Sequence, residues 1–281
     1  MRNRSRHGWH RAVNGVNVAA LLVVLFIAFP LYWMIASAFK TPANVGTSPP
    51  QYFPQPVSGL NYTVAFSQNT FGRYILNSLI VALVATALVL LLGTLAGYAL
   101  GRLPMRGKFT VLVVLLMISV FPEIAVVVPL YVMLRDLGWL NSYQALIIPY
   151  TAFFLPFAVW ILRNYFLGIP HEMEESARID GASPLRTLWS VIMPQAWPGL
   201  FTAGIFTFTA CWTEFLMALS FNPVNNYRTI PVGIALFGSQ FITPYGALFA
   251  ASVVAVVPIA ALVLIFRRSV VSGLTAGAVK G

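Results

Sequence analysis

The chain has little charge. Of its 281 residues only 17 are Lys or Arg and 7 are Asp or Glu, a charged fraction of 9% beside a hydrophobic fraction of 59%. Ordinary soluble domains carry about 25% charged and about 45–50% apolar residues. So few charges cannot cover a soluble globule of this size, because apolar surface left in water drives association. Disorder is excluded as well, since it needs low hydrophobicity and high charge. Cysteine is reduced to Cys211, inside an apolar run, which excludes an intrachain disulfide and a cysteine-cluster metal site and predicts buried packing. His7, His10 and His171 form no metal-spaced cluster. A phosphate-binding loop is missing too: Gly107-Lys108 is followed by Phe109, not Ser or Thr. The residues therefore predict no enzyme, no metal or cofactor site, and no ATPase within this chain.

Long apolar runs are what the sequence does have. A helix crossing a bilayer core about 30 Å thick needs about 20 apolar residues. Six stretches qualify: about 18–39, 75–100, 110–134, 143–166, 200–220 and 247–266. Each is continuously apolar, unlike the alternating segments of a β-barrel. The expected fold is an all-α membrane protein with six transmembrane helices spanning 18–267. The first run follows Arg2, Arg4, Arg6 and Arg11 and ends near Ala36-Ser37-Ala38, like a signal peptide. Its length exceeds the roughly 7–15 residues of a signal core, so a retained helix is expected, with cleavage as the alternative.

The basic residues set the expected orientation. Thirteen of them lie in one set of connections: the N-terminal tail (1–17), the 101–109 and 163–199 loops, and the C-terminal tail (268–281) with its flanking arginines. Lys40, Arg73, Arg135 and Arg228 lie in the opposite set. Excess Lys and Arg mark the cytoplasmic side, which puts both termini on that side of a cell membrane. The net charge of +10 thus reads as topology and not as nucleic-acid binding.

One cytoplasmic loop, 170–194, does not look like a linker. Four of the seven acids, Glu172, Glu174, Glu175 and Asp180, sit in it just after Pro170, where a helix's positive dipole end favours them. Gly181 suits a left-handed helix terminus, and Ser183-Pro184 an N-cap with a first-turn proline. Helix, glycine turn, helix is predicted. Ala177, with Met173 and Ile179, makes a small apolar knob suited to docking in another protein's groove; the alternative is a solvated hairpin with no partner.

Within the spans, Glu123 and Glu214 are costly at membrane depth. With Trp212, they are the candidate substrate-pathway residues, against a structural reading in which each carboxylate pairs with a neighbouring helix. Proton coupling is a further option. Pro30, Pro122, Pro129, Pro149, Pro156 and Pro258 are expected to interrupt spans, in a rocking or a static bundle. Gly93, Gly97 and Gly101 recur every fourth position and predict a tight helix contact, within the subunit or against a partner.

The loop resembles the signature of ABC-importer permease subunits: Glu-Ala-Ala, three residues, Gly, nine residues, Ile, any residue, Leu-Pro. Here it runs Glu175-Ser176-Ala177, Gly181, then Val191-Ile192-Met193-Pro194, with modest departures at Ser176, Val191 and Met193. The likeness covers nearly the whole chain and is closest to the carbohydrate-uptake class, in particular the maltose-type second permease. Asn61-Tyr62, Phe66, Tyr74 and Asn77-Ser78-Leu79 resemble the start of the family's second span, and Tyr98-Ala99-Leu100-Gly101-Arg102 its end. Trp212-Thr213-Glu214-Phe215-Leu216 resembles the fifth-span pattern, with Thr213 where asparagine is usual. The tail 273–281 matches this branch almost residue for residue.

The resemblance implies one membrane subunit of an importer for a sugar or oligosaccharide, with a polyol or glycerol phosphate as an alternative cargo. It implies a second permease subunit, two ABC ATPase subunits that bind the ATP and Mg, and an extracytoplasmic sugar-binding protein. Glu175, Ser176, Ala177, Arg178, Asp180, Gly181 and Pro194 become the expected ATPase-coupling residues. Gly273, Thr275, Gly277 and Lys280 become a tail-docking set. From another class, a secondary transporter or channel working without ATP stays open, as does a purely structural membrane anchor.

Overall fold

The computed structural model describes residues 15–68, 70–238 and 244–276, and among these every regular element is helical. In chain order they are α1 (Gly15–Ala38), α2 (Leu60–Gln68), α3 (Phe71–Arg102), α4 (Lys108–Val120), α5 (Glu123–Asp136) and α6 (Gln144–Leu167). There follow α7 (Glu172–Ile179), α8 (Pro184–Thr187), a π-helical turn (Leu188–Ile192), α9 (Met193–Thr213), α10 (Leu216–Phe221), α11 (Ile230–Ala235) and α12 (Tyr245–Ala276). A non-helical backbone at Phe266 kinks α12.

Four helices are long and apolar enough to cross a membrane: Asn17–Ala38, Phe71–Arg102, Gln144–Leu167 and Tyr245–Phe266. A fifth results if α4 and α5, bent by 89°, are one broken span. The six expected spans thus become four or five among the described residues. The difference lies in the third and fifth runs. Phe121 and Pro122 both take extended backbone, with ψ 132° and 123°, so 110–134 is two helices meeting at a right-angled corner. Proline removes a helical donor and biases the residue before it away from helical ψ. In the fifth run α9 stops at Thr213, because Glu214 is extended at ψ 134°. Its many Thr, Gly, Pro and Trp residues also leave α9 short of the apolarity of a spanning helix.

The proline expectation needs the same correction. Pro30, Pro129, Pro149, Pro156 and Pro258 all lie inside continuous helices; only Pro122 marks a break. A bilayer helix keeps its course past proline when neighbouring packing satisfies the freed carbonyl.

The centre is built from α3, α6 and α9. Helix association in lipid rests on close packing more than on hydrophobic burial, so small residues mark the closest contacts. A side chain at Gly97 would lie 3.1 Å from the Arg163 backbone nitrogen and 3.2 Å from Leu162 Cβ. One at Gly93 would lie 3.3 Å from Leu162 Cδ1. The glycine stripe of α3 therefore faces α6 inside this chain, which settles the choice between an internal and a partner contact. Gly199 of α9 meets the ring of Tyr165, so any larger residue there would strike it. By contrast the first half of α1 is bare, with Leu21 to Ile27 all more than half exposed, although the helix touches α12.

Candidate functional site

The 170–194 segment forms the predicted helix, turn and helix. Gly181 adopts φ +76°, a conformation glycine takes without steric cost. Around it Ala182 N donates to Ala177 O at 2.9 Å and Gly181 N to Arg178 O at 3.0 Å, closing the end of α7. Ser183 Oγ then accepts from Arg186 N at 3.4 Å and caps α8. Next, the chain widens into the π turn, whose Leu188 and Ile192 are fully buried, before Met193-Pro194 open α9.

The hairpin has two distinct faces. Glu172, Glu175, Ser176, Arg178, Asp180 and Gly181 are exposed, as are Leu185 and Pro194, and Ile179 is 86% exposed. Glu174 and Ala177 point inward and are buried. The expected knob is therefore corrected: Ala177 packs within the subunit, where its small side chain lets α7 sit close, and Ile179 and Leu185 form the outward apolar points. Glu174 is buried because it has a partner. Its Oε1 lies 3.2 Å from Arg102 Nε at the end of α3, and both side chains are almost wholly enclosed. Arg102 also donates through Nη2 to the Ile169 carbonyl, while the exposed Arg178 stands 3.8 Å from Glu174 Oε2. In the sequence Arg102 stands out by its positive charge and by its place at the end of the Tyr98–Arg102 pattern, and neither signals its burial.

The opposite end is held by many side chains, mostly amides and hydroxyls, with Arg73 and Arg228 adding bonds to the carbonyls of Asn226 at 3.4 Å and Pro223 at 3.2 Å. Asn77 Nδ2 donates to the carbonyls of Asn226 and Arg228, both at 2.9 Å, and its Oδ1 accepts from Tyr143 OH at 2.9 Å. Ser78 Oγ accepts from Ile230 N at 2.8 Å, and Asn222 bonds the backbone of Ser142 in both directions. Asn61 Nδ2 donates to the carbonyls of Lys40 at 2.7 Å and Ala38 at 3.1 Å, closing the end of α1. Lys40 is buried over the Trp33 ring, 4.0 Å from its centroid, and this desolvation pushes its ammonium below the ordinary lysine range.

Between the ends lies the break of the fifth run. The Glu214 carboxylate accepts from Met217 N at 2.7 Å and Ala218 N at 3.0 Å, and from Tyr150 OH. It thereby satisfies donors that the broken helix frees. Trp212 is buried, donates Nε1–H to the Ala255 carbonyl at 3.0 Å and stacks on Phe208. Glu123, half-buried in the first turn of α5, lies within electrostatic reach of Tyr150 and Glu214. The structure thus joins Tyr150 and Glu214 directly, with Glu123 close enough to act on both through its charge. Of the tail candidates, Gly273 and Thr275 fall in the last turns of α12; Gly277 and Lys280 lie outside the described residues.

A bundle of membrane-spanning helices with a helical hairpin at one end defines an all-α membrane protein, and comparison with known proteins gives its family. Residues 90–275 match the family described as the binding-protein-dependent transport system inner membrane component, and the chain belongs to it. It is 42% identical over 264 residues to the sulfoquinovosyl glycerol transport system permease protein SmoH of Agrobacterium fabrum, covering 94% of this chain and 93% of that one. It is 39% identical to the trehalose/maltose transport system permease protein MalG of Thermococcus litoralis, covering 94% and 95%. A crystal structure of a bacterial ABC transporter that imports alginate shares the fold, with a TM-score of 0.78 at 20% identity over 95% of this chain and 99% of that one. The protein is a multi-pass inner-membrane permease of an ABC importer, non-catalytic, working with a binding protein.

Proposed function

We propose that this chain pairs with a second permease subunit to carry a sugar or oligosaccharide, and that the 170–194 hairpin docks one of two ATPase subunits. Those subunits would bind the ATP and Mg. The observation that carries this is the two-faced hairpin. Its outward face offers Glu175, Ser176, Ile179 and Gly181 to a partner while Glu174 and Ala177 hold it to the bundle. The charge distribution supports six crossings with both termini and the hairpin on the cytoplasmic side. The broken third and fifth runs then count as crossings completed at a corner. Closing of the ATPase pair would move the hairpins as rigid bodies and switch the bundle between inward- and outward-facing states.

The relatives' sugar and sugar-derivative systems support the cargo class. Among the pathway candidates, Glu123 keeps free surface at the corner and suits a cargo-facing role, whereas Trp212 and Glu214 spend their polar atoms within the chain and suit a supporting one. The Gly273–Gly281 tail is a second docking candidate.

The test is Gly181→Val in the reconstituted complex. A β-branched residue is strained at φ +76°, so stimulation of ATP hydrolysis by the loaded binding protein should fall at least tenfold. Unchanged stimulation would reject the docking role. Truncation after Ser272 tests the tail, and unaltered assembly and uptake would dismiss it. A thermal-shift screen of the matching binding protein against sugars, polyols and glycerol phosphates identifies the cargo; stabilisation only by a non-carbohydrate would reject the class.

A further inference from the structure

We infer that Arg102 is a positioning residue that makes the α3–α6 pair follow the hairpin, through its buried ion pair with Glu174. The inference rests on the docking role proposed above and adds the route by which motion leaves the hairpin.

Among the described residues this is the one ion pair that joins two different helices. Its setting differs from that of a surface pair. Arg102 side-chain exposure is 0% and that of Glu174 is 2%, so salt screens the attraction much less than it would a surface pair. The guanidinium also holds the Ile169 carbonyl, in the strand of chain that leads from α6 into α7. One side chain of α3 thus grips both the hairpin and its root. Tyr98, one turn earlier on α3, lies within electrostatic reach of Arg102, Glu174 and Arg178 and packs its ring edge-on against Phe166 of α6.

The second link is the glycine stripe. Gly93 and Gly97 bring the backbone of α3 directly against α6. A push on the exposed face of α7 therefore reaches α3 through a charge pair that is costly to separate, and α6 through backbone packing. Sequence pattern assigns coupling to the exposed motif residues. The geometry gives the transmission to two residues behind them.

The experiment uses the complete reconstituted importer and reads two quantities: cargo taken up per ATP hydrolysed, and recovery of the ATPase subunits with the permease. In Arg102→Met the ATPase subunits should remain bound while uptake per ATP falls at least tenfold. The double reversal, Arg102→Glu with Glu174→Arg, should recover at least a third of the parent ratio. A purely structural pair would change the amount of complex and leave that ratio alone. An unchanged ratio in Arg102→Met overturns the inference. If Arg102→Met does not assemble, Arg102→Lys is read in its place; it keeps the charge, loses the two-way grip, and should again lower the ratio at least threefold. Failure of both variants to assemble also overturns it, because the pair would then serve folding alone. Gly181→Val separates the two proposals. If it releases the ATPases while the Arg102 variants keep a parental ratio, docking stands and the transmission route falls. If Gly181→Val has no effect, the docking role itself falls.

Discussion

The two ends of the bundle are fastened by different chemistry. At one end Asn77, Ser78, Asn222 and Asn61, joined by Arg73 and Arg228, spread many hydrogen bonds over three backbone segments, 38–40, 142 and 223–230. At the other, a single buried charge pair, Arg102–Glu174, holds the hairpin to α3. A distributed mesh divides its load, each such bond contributing about 0.5–1.5 kcal/mol net. A buried ion pair fails abruptly, because losing one partner strands the other charge. The first design fixes a shape. The second ties the hairpin to one helix, which suits the end where we propose that an ATPase subunit docks.

The comparison breaks most readily at the charged end. Arg102→Met should destabilise the assembled permease by about 3–5 kcal/mol, read as loss of thermal stability in detergent, whereas adding Glu174→Met should return most of it, since replacing both charges is close to neutral. If the single and double variants were equally unstable, the pair would not be the fastening. Between the ends, Gly97→Val should cost about 1–3 kcal/mol by forcing α3 and α6 apart, while Gly101→Ala, with 3.6 Å of room to Arg163, should be nearly silent. Equal effects at both positions would contradict the close α3–α6 contact. At the hydrogen-bonded end, Asn77→Ala removes three bonds and should cost about 2 kcal/mol, towards the low end of about 0.5–1.5 kcal/mol for each. A loss as large as that of Arg102→Met would erase the contrast. The smallest effect is expected at Ser183→Ala, about 1 kcal/mol for a helix cap, seen as faster proteolysis at the hairpin with the bundle intact. Unchanged cleavage would mean that the cap does not hold the turn.

Much of this was legible because it depends on local chemistry. The scarcity of charge alone gave a membrane bundle. Pro170, the acids, Gly181 and Ser183-Pro184 gave the hairpin, since each residue has one conformational preference there. What stayed hidden depends on neighbours distant in sequence. Six prolines looked alike, yet only Pro122 ends a helix, and packing around each freed carbonyl decides that. The break at Glu214 carries no proline or glycine signal. It exists because a carboxylate folds back onto Met217 and Ala218, aided by Tyr150 from 64 residues away. The direction of the glycine stripe likewise needed α6 in place. Arg102 was read by its sign for topology, and its burial against Glu174 could not be seen before α3 and α7 were brought together.

The central claim is that the exposed face of the hairpin lies in the cytoplasm and is covered by an ATPase subunit. Ile179→Cys tests both parts, because Ile179 is 86% exposed and the natural Cys211 is buried. A surface change at such a site should alter stability by less than about 0.5 kcal/mol. A membrane-impermeant maleimide should label the new thiol in inside-out vesicles that hold the permease pair alone, leave it unlabelled in right-side-out vesicles, and lose at least nine-tenths of the labelling once the ATPase subunits are bound. Labelling from the outer face, or equal labelling with and without the ATPases, would contradict the account.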